Sequence, residues 1–263
     1  MAKEDLTVVK IGGNVIDNEK MLEKFLADFS KIKGKKVLVH GGGKLASQMS
    51  KRLGIEPKMH NGRRITDKAT LEVVTMVYAG WVNKRVAAKL QALEENALGL
   101  SGADINAILS AKRPANPIDF GFVGDVEKVN AEGLGKLLDS DFLPVLCAIT
   151  HDGNGTLLNT NADTIASETA IGLSELYETT LVYCFEKNGV LKDPEDDDSW
   201  ISTIDTKIYK ELLADGTISA GMMPKMENCY HALGKGVKEV KIMHANNLLS
   251  ISEGSFVGTR IGL

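Results

Sequence analysis

Short apolar runs alternate along the chain with segments whose apolar residues recur every three or four positions. Leu6 to Ile11 reads as a first strand and is closed by Gly12-Gly13. Met21, Leu22, Phe25, Leu26, Phe29 and Ile32 then mark one face of an amphipathic helix, which Gly34 ends. Lys36 to Val39 predicts a second strand; His40, three glycines and another helical pattern follow. A long helix is predicted from Thr66 or Asp67, either of which can serve as N-cap. It runs through Leu71, Val74, Val77, Tyr78, Trp81 and Val82 toward Leu93, and its wide apolar face predicts burial in the core and against a second subunit.

Ala97–Leu100, Leu143–Ile149, Thr180–Phe185 and Val237–Met243 are further strand candidates. DFGFVGDVEKV alternates apolar and polar residues around Gly121 and Gly124 and predicts a hairpin. Strands alternating with helices indicate an α/β fold with a mostly parallel sheet. Such sheets bind ligands at the carboxyl ends of their strands, where both glycine clusters fall. A softer division lies near Gly172–Glu178 and separates residues 1–174 from residues 175–263.

The 263 residues suffice for one large α/β domain or two lobes. Hydrophobic residues make up 43% and charged residues 25%, as in ordinary soluble domains. The net charge of -4, with both signs interspersed, argues against a nucleic-acid partner, which needs a basic face. MAKEDLTVVK carries charges where a signal peptide needs an apolar stretch, and no apolar run approaches a membrane span. A cytoplasmic protein without a membrane partner is expected. Cys147, Cys184 and Cys229 are far apart and form no CxxC, and the five histidines lack HExxH spacing. His40, His60 and His244 are read as loop or core residues, and the acidic DPEDDDSW as a solvated loop. No protein metal site is expected.

Gly41-x-Gly43-x-x-Ala46 satisfies the loose dinucleotide-binding spacing. The second strand with a terminal acidic residue that such a unit requires is absent, because EPKMHNGRRITD stands in its place. A Walker A loop fails as well, since Leu38 stands where its first glycine belongs and Leu45 follows Lys44. The chain instead carries two strand–glycine junctions, KIGG at residues 10–13 and HGGG at residues 40–43. Side by side, they would surround one crevice with backbone donors and the cation of Lys10. That suits an oxyanion or phosphoryl group better than a nicotinamide. Asn159, Asn161 and Asp163 alternate just before a helical pattern; capping needs only one of them. Lys225 follows a glycine-containing turn just inside another helix.

VVKIGGNVI, VLVHGGGK, NGRRITD, LLNTNADTIA, GMMPKMENC and the terminal GTRI together resemble the amino acid kinase family, in its order and spacing over nearly the whole chain. NGxRxT with NxNAD points to the acetylglutamate branch rather than to aspartate, uridylate or carbamate kinases. The resemblance implies a three-layer αβα sandwich around an open, mainly parallel eight-stranded sheet. Residues 1–174 would bind an N-acylglutamate and dimerise, and residues 175–263 would bind ATP. The implied reaction transfers a phosphoryl group from MgATP to the γ-carboxylate of N-acetyl- or N-succinyl-glutamate, in arginine biosynthesis.

A carboxylate is already ionised at pH 7, so this chemistry needs positioning and charge stabilisation rather than a base. By the resemblance, Lys10 bridges toward the transferring phosphoryl group, Lys225 neutralises the ADP side, and Asp163 orients both lysines. Gly12, Gly13, Gly42 and Gly43 line the phosphoryl path with N–H groups. Arg64 pairs with the substrate α-carboxylate, and Asn159 and Asn161 hold the substrate nearby. Mg²⁺ rides mainly on the phosphates, and Lys44 is a bystander. Glu186, Lys187, Gly189 and Leu191 lie near the nucleotide, with Thr217, Ile218 and Ser219 on its other side.

Two positions depart from the family pattern. CFEKNGVL carries Glu186, Lys187 and Asn188 where relatives have an aspartate and small residues before the glycine. Arg63 precedes Arg64 where relatives have an apolar residue; it either points to solvent or reads a second substrate carboxylate, as a succinyl group would present. Arginine-inhibited relatives carry an extra N-terminal helix that builds a hexamer, whereas here only Met1–Asp5 precede the first strand. The expectation is a homodimer joined through the Thr66–Leu93 segment, without strong arginine feedback.

Overall fold

The computed structural model describes residues 2–193, 195–218, 222–252 and 256–263. The first half runs β1 (Asp5–Ile11), α1 (Gly13–Asp17), α2 (Glu19–Ser30), β2 (Lys35–His40), α3 (Gly43–Arg52), β3 (Met59–His60), β4 (Arg63–Arg64), α4 (Lys68–Thr75), a π-helical turn (Met76–Val82), α5 (Asn83–Gln91), β5 (Ala97–Leu100), β6 (Ile108–Lys112), β7 (Gly124–Val129) and α6 (Ala131–Asp139). The second runs β8 (Leu143–Cys147), β9 (Ile149–His151), β10 (Leu157–Asn159), α7 (Ala162–Ser174), β11 (Glu178–Phe185), β12 (Thr203–Ile204), α8 (Thr206–Ala214), α9 (Met223–Gly234), β13 (Glu239–His244) and β14 (Thr259–Ile261).

Eight strands form one sheet in the order β12-β14-β13-β11-β1-β2-β8-β5, parallel except where β14 pairs antiparallel with β13. The central strands are apolar in both phases of their alternation, so each face can bury a layer of helices. Val9, Ile11, Leu38, Val145 and Val182 pack under α1 to α5, and Leu6, Val8, Val37, Val39 and Leu181 under α6 to α9. This is the expected αβα sandwich. Because β1 pairs directly with β11, the sheet runs unbroken past residue 174.

Three local expectations need correction. DFGFVGDVEKV does not fold on itself: β7 pairs with β6, and Gly121 bridges to Thr66, where a Cβ would collide with the Thr66 carbonyl. The apolar run from Leu143 to Ile149 is split between two sheets, with Ala148 at the break between β8 and β9. The helix capped by Asp67, whose side chain accepts from Thr70 N–H, reaches Gln91 only through the π-helical turn. Apolar periodicity reports which face is buried but cannot register an inserted residue in the winding.

Candidate active site at the carboxyl edge of the sheet

The strands β11, β1 and β2 lie side by side, with Lys10 opposite Tyr183 and Val39 and Ile11 opposite Cys184 and His40. Their carboxyl ends therefore deliver Gly12-Gly13, Gly41–Gly43 and Phe185-Glu186 to one edge. The N-terminus of α7 meets the same strands. Asn161 is its N-cap: its Oδ1 accepts from Asp163 N–H (2.7 Å) and Thr164 N–H (3.4 Å). That cap frees the Asp163 carboxylate, whose Oδ1 lies 2.6 Å from Lys10 Nζ in a largely buried ion pair. The Tyr183 hydroxyl donates to the Asp163 carbonyl at 3.1 Å and fixes the helix start.

Lys225, third residue of α9, reaches the site from the other side. Its Nζ lies 3.8 Å from the Phe185 ring centroid, and Lys10 Nζ lies 5.0 Å from the same centroid. Burial pushes the Lys225 ammonium below the ordinary lysine value, and the Lys10 charge adds to this while Asp163 opposes it. Asp163 does not hold both lysines here. Among the described residues its ion-pair partner is Lys10 alone, and Lys225 rests over the aromatic face instead.

The glycine N–H groups are not equivalent. Gly12 N–H donates to the Cys184 carbonyl at 3.3 Å, because β1 stays in register with β11 to its end. It therefore does not face the phosphoryl path as expected. No described residue accepts from the N–H of Gly13, Gly42 or Gly43. Gly13 and Gly43 each open a helix, where unpaired N–H groups and the helix dipole favour an anion.

Arg64 is 8% exposed. Its Nη2 donates to the Gly43 carbonyl (2.9 Å) and to Ser47 Oγ (2.8 Å), while Nη1 is buried with no partner among the described residues. A guanidinium held by one arm with the other unmatched is arranged to take a carboxylate. Asn159 Nδ2 donates to Thr66 Oγ1 at 3.0 Å, which itself lies 3.3 Å from the Arg64 carbonyl. Gly43, Arg64 and Asn159 thus share one wall, whereas the Asn161 side-chain oxygen is committed to its cap. Arg63 alternates to the opposite side of β4, is exposed, and lines a separate basin with Arg113.

A cavity of 510 Å³ holds Lys10, Gly12, Gly13, Glu186, Lys187, Gly189, Leu191, Thr217, Ile218 and Lys225 together. Ser219 lies outside the described residues. Lys187 pairs with Asp197 at 2.6 Å, and a Cβ on Gly189 would collide with Thr259 Oγ1, so the terminal strand supports this loop. Phe185, Asn14 and Lys44 also line the cavity. Lys44, expected to be a bystander, lines this cavity, and its ammonium bonds Asn14 Oδ1 across the first glycine turn. Its place one residue into α3 was the available signal. Phe185 carried none, since an aromatic residue ending a buried strand reads as core. Among the described residues no group of three or more His, Cys, Asp or Glu could hold a metal ion, and no helix is long and apolar enough to cross a membrane.

The profile of the amino acid kinase family matches residues 5–244. The chain is 55% identical over 253 residues to the acetylglutamate kinase of Phocaeicola vulgatus, covering 96% of this chain and 97% of the relative. It is 54% identical over 260 residues to the acetylglutamate kinase of Cytophaga hutchinsonii, covering 98% of each. Among solved structures it superposes on the N-acetylglutamate synthase of Neisseria gonorrhoeae, complexed with coenzyme A and N-acetyl-glutamate, with a TM-score of 0.81 at 23% identity. That match covers 98% of this chain and 59% of the synthase. Carbamate kinase from Giardia lamblia bound to AMP-PNP matches with a TM-score of 0.72 at 17% identity, over 99% of both chains. At these identities the two structures speak for the fold alone.

Proposed function

The chain belongs to the amino acid kinase family, and from that premise we propose that it transfers the γ-phosphoryl group of ATP to the γ-carboxylate of N-acetyl-L-glutamate, a step of arginine biosynthesis. The observation that carries this reading is the Lys10–Asp163 ion pair, set between two glycine turns in which the N–H groups of Gly13, Gly42 and Gly43 have no acceptor among the described residues. No general base is required, because the acceptor is an anion at neutral pH. The donors and cations draw two negative groups together and hold them in line. Arg64 and Asn159 hold the α-carboxylate end of the acceptor, and Gly42 and Gly43 donate to its reacting carboxylate. Lys10 sits over the transferring phosphoryl group, and Lys225 compensates the charge that develops on ADP. Residues 1–174 carry the acceptor and residues 175–263 the nucleotide. Mg²⁺ would be bound chiefly by the phosphates, in a cavity whose charged lining is Lys10, Lys44, Lys187, Lys225 and one carboxylate, Glu186.

Hydroxylamine trapping tests this directly. With N-acetyl-L-glutamate and MgATP, an acyl hydroxamate should accumulate in step with ADP, and ADP formation without hydroxamate would refute a carboxyl acceptor. Running N-succinyl-L-glutamate in parallel, with wild type and Arg63→Ala, settles the acyl group. A succinyl preference read by Arg63 must fall in the variant.

The assembly we propose is a homodimer built on the α4–π–α5 face, where Met76 is 54% and Trp81 61% exposed in the isolated chain. Large apolar side chains exposed on one helix face mark a protein interface. Light scattering should return twice the mass of 28.4 kDa, and a hexamer would overturn this assembly.

A further inference from the structure

Three buried side chains beside the acceptor site touch no ligand in the reading above: His40, Asn83 and Tyr78. We infer that the π-helical turn Met76–Val82 is a positioning device for the glycine turn 41–43, acting through an Asn83–His40 relay and through the Tyr78 ring. The inference rests on the acceptor role given to Gly42 and Gly43.

The relay has a defined proton arrangement. Asn83 Nδ2 lies 2.9 Å from the Val145 carbonyl and 3.0 Å from His40 Nε2. A carbonyl only accepts, so the amide end facing both groups is the donor nitrogen. His40 Nε2 must then accept, which leaves the ring proton on Nδ1, 2.8 Å from the Gly41 carbonyl. His40 therefore donates to Gly41. The Gly41–Gly42 peptide is planar and trans, so its carbonyl and its N–H point in opposite directions. Holding the Gly41 carbonyl aims the Gly42 N–H. Three consecutive glycines have little conformational preference of their own, and such a turn needs this external hold.

Tyr78 backs the same turn from below. A Cβ on Gly42 would lie 2.9 Å from Tyr78 Cδ1, and the phenol oxygen lies near Gly43. Tyr78 and Asn83 are five residues apart. At about 100° per residue, α-helical winding would set them about 140° apart, and one would turn away from the glycines. Here Asn83 N–H donates to the Tyr78 carbonyl, the i→i+5 bond of a π-helix, and the wider turn brings both residues to one side.

The test compares His40→Asn with His40→Gln. The asparagine nitrogen replaces Nδ1 and keeps the donor to Gly41; the glutamine nitrogen replaces Nε2 and does not. We expect His40→Asn to stay within about threefold of wild-type kcat, and His40→Gln to lose about tenfold to a hundredfold. KM for MgATP should be unchanged in both. Equal activity of the two variants would overturn the inference, as would a loss explained wholly by a lower Tm in both. Should His40→Gln not fold, Asn83→Leu releases the relay from its other end, and wild-type kcat in that variant would also overturn it. Wild-type protein that forms no hydroxamate defeats the proposed function together with this inference. An active wild type with equally active His40 variants defeats the inference alone.

Discussion

Two glycine turns leave the same edge of the sheet, one after Ile11 and one after His40, and they are held in opposite ways. At the first, a Cβ on Gly12 would meet the Cys184 carbonyl at 3.7 Å and a Cβ on Gly13 would meet Asp17 Oδ2 at 4.0 Å, both ordinary contacts. The protein leaves that turn roomy, with space on the cavity side where the proposed function puts a ligand. At the second, Tyr78 presses on Gly42 while His40 grips the Gly41 carbonyl. There the missing side chain lets the protein close on its own backbone. In the reading proposed above, two motifs that look alike in the sequence use glycine for different reasons, reactive-group access in one and preorganisation in the other.

The largest effect that could break this contrast belongs to the lysines beside the roomy turn. Lys10→Ala and Lys225→Ala should each lower kcat by about 10²–10³, the usual loss for one preorganised electrostatic group. Near-normal kcat in both would remove the phosphoryl path from that turn.

Next comes acid stability at the gripped turn. Burial pushes the His40 imidazole down to about 4 from the ordinary 6.5. Between those pH values the unfolded chain binds a proton that the folded chain refuses, so stability falls as pH drops from 6.5 to about 4. The loss should approach roughly 3 kcal/mol. Urea unfolding at pH 7 and pH 4.5 measures it, and His40→Asn should lack this component.

Arg64→Ala should raise KM for N-acetyl-L-glutamate by about tenfold to a hundredfold, the worth of a charged hydrogen-bonded pair, with a smaller change in kcat. An unchanged KM would mean that the unmatched Nη1 serves packing only.

The smallest effects sharpen the contrast most. Gly42→Ala should lower stability by about 1–3 kcal/mol through overpacking against Tyr78. Gly13→Ala should stay within about 0.5 kcal/mol of wild type, as for a substitution without a clash, yet lose kcat because its methyl enters the ligand space. Calorimetry and steady-state kinetics on the pair distinguish the two uses of glycine; equal Tm losses would erase the distinction.

Much of this arrangement is local and could be read along the chain. Short apolar runs marked the strands, Thr66 or Asp67 and Asn161 or Asp163 offered helix caps, and the paired strand–glycine junctions pointed to the carboxyl edge of the sheet. Those features depend on neighbours a few residues away, so sequence order alone determined them. Tertiary structure decided which donors are free and which charges meet. Gly12 N–H is taken by Cys184, 172 positions along the chain, only because β1 and β11 share a register. Asp163 touches Lys10 and not Lys225 because α9 lays Lys225 over Phe185. His40 meets Asn83 across a sequence separation of 43 only because the π-helical turn rotates Asn83 inward. Hydrogen bonds and ion pairs act over a few ångströms, and packing alone sets those distances between residues far apart in the chain.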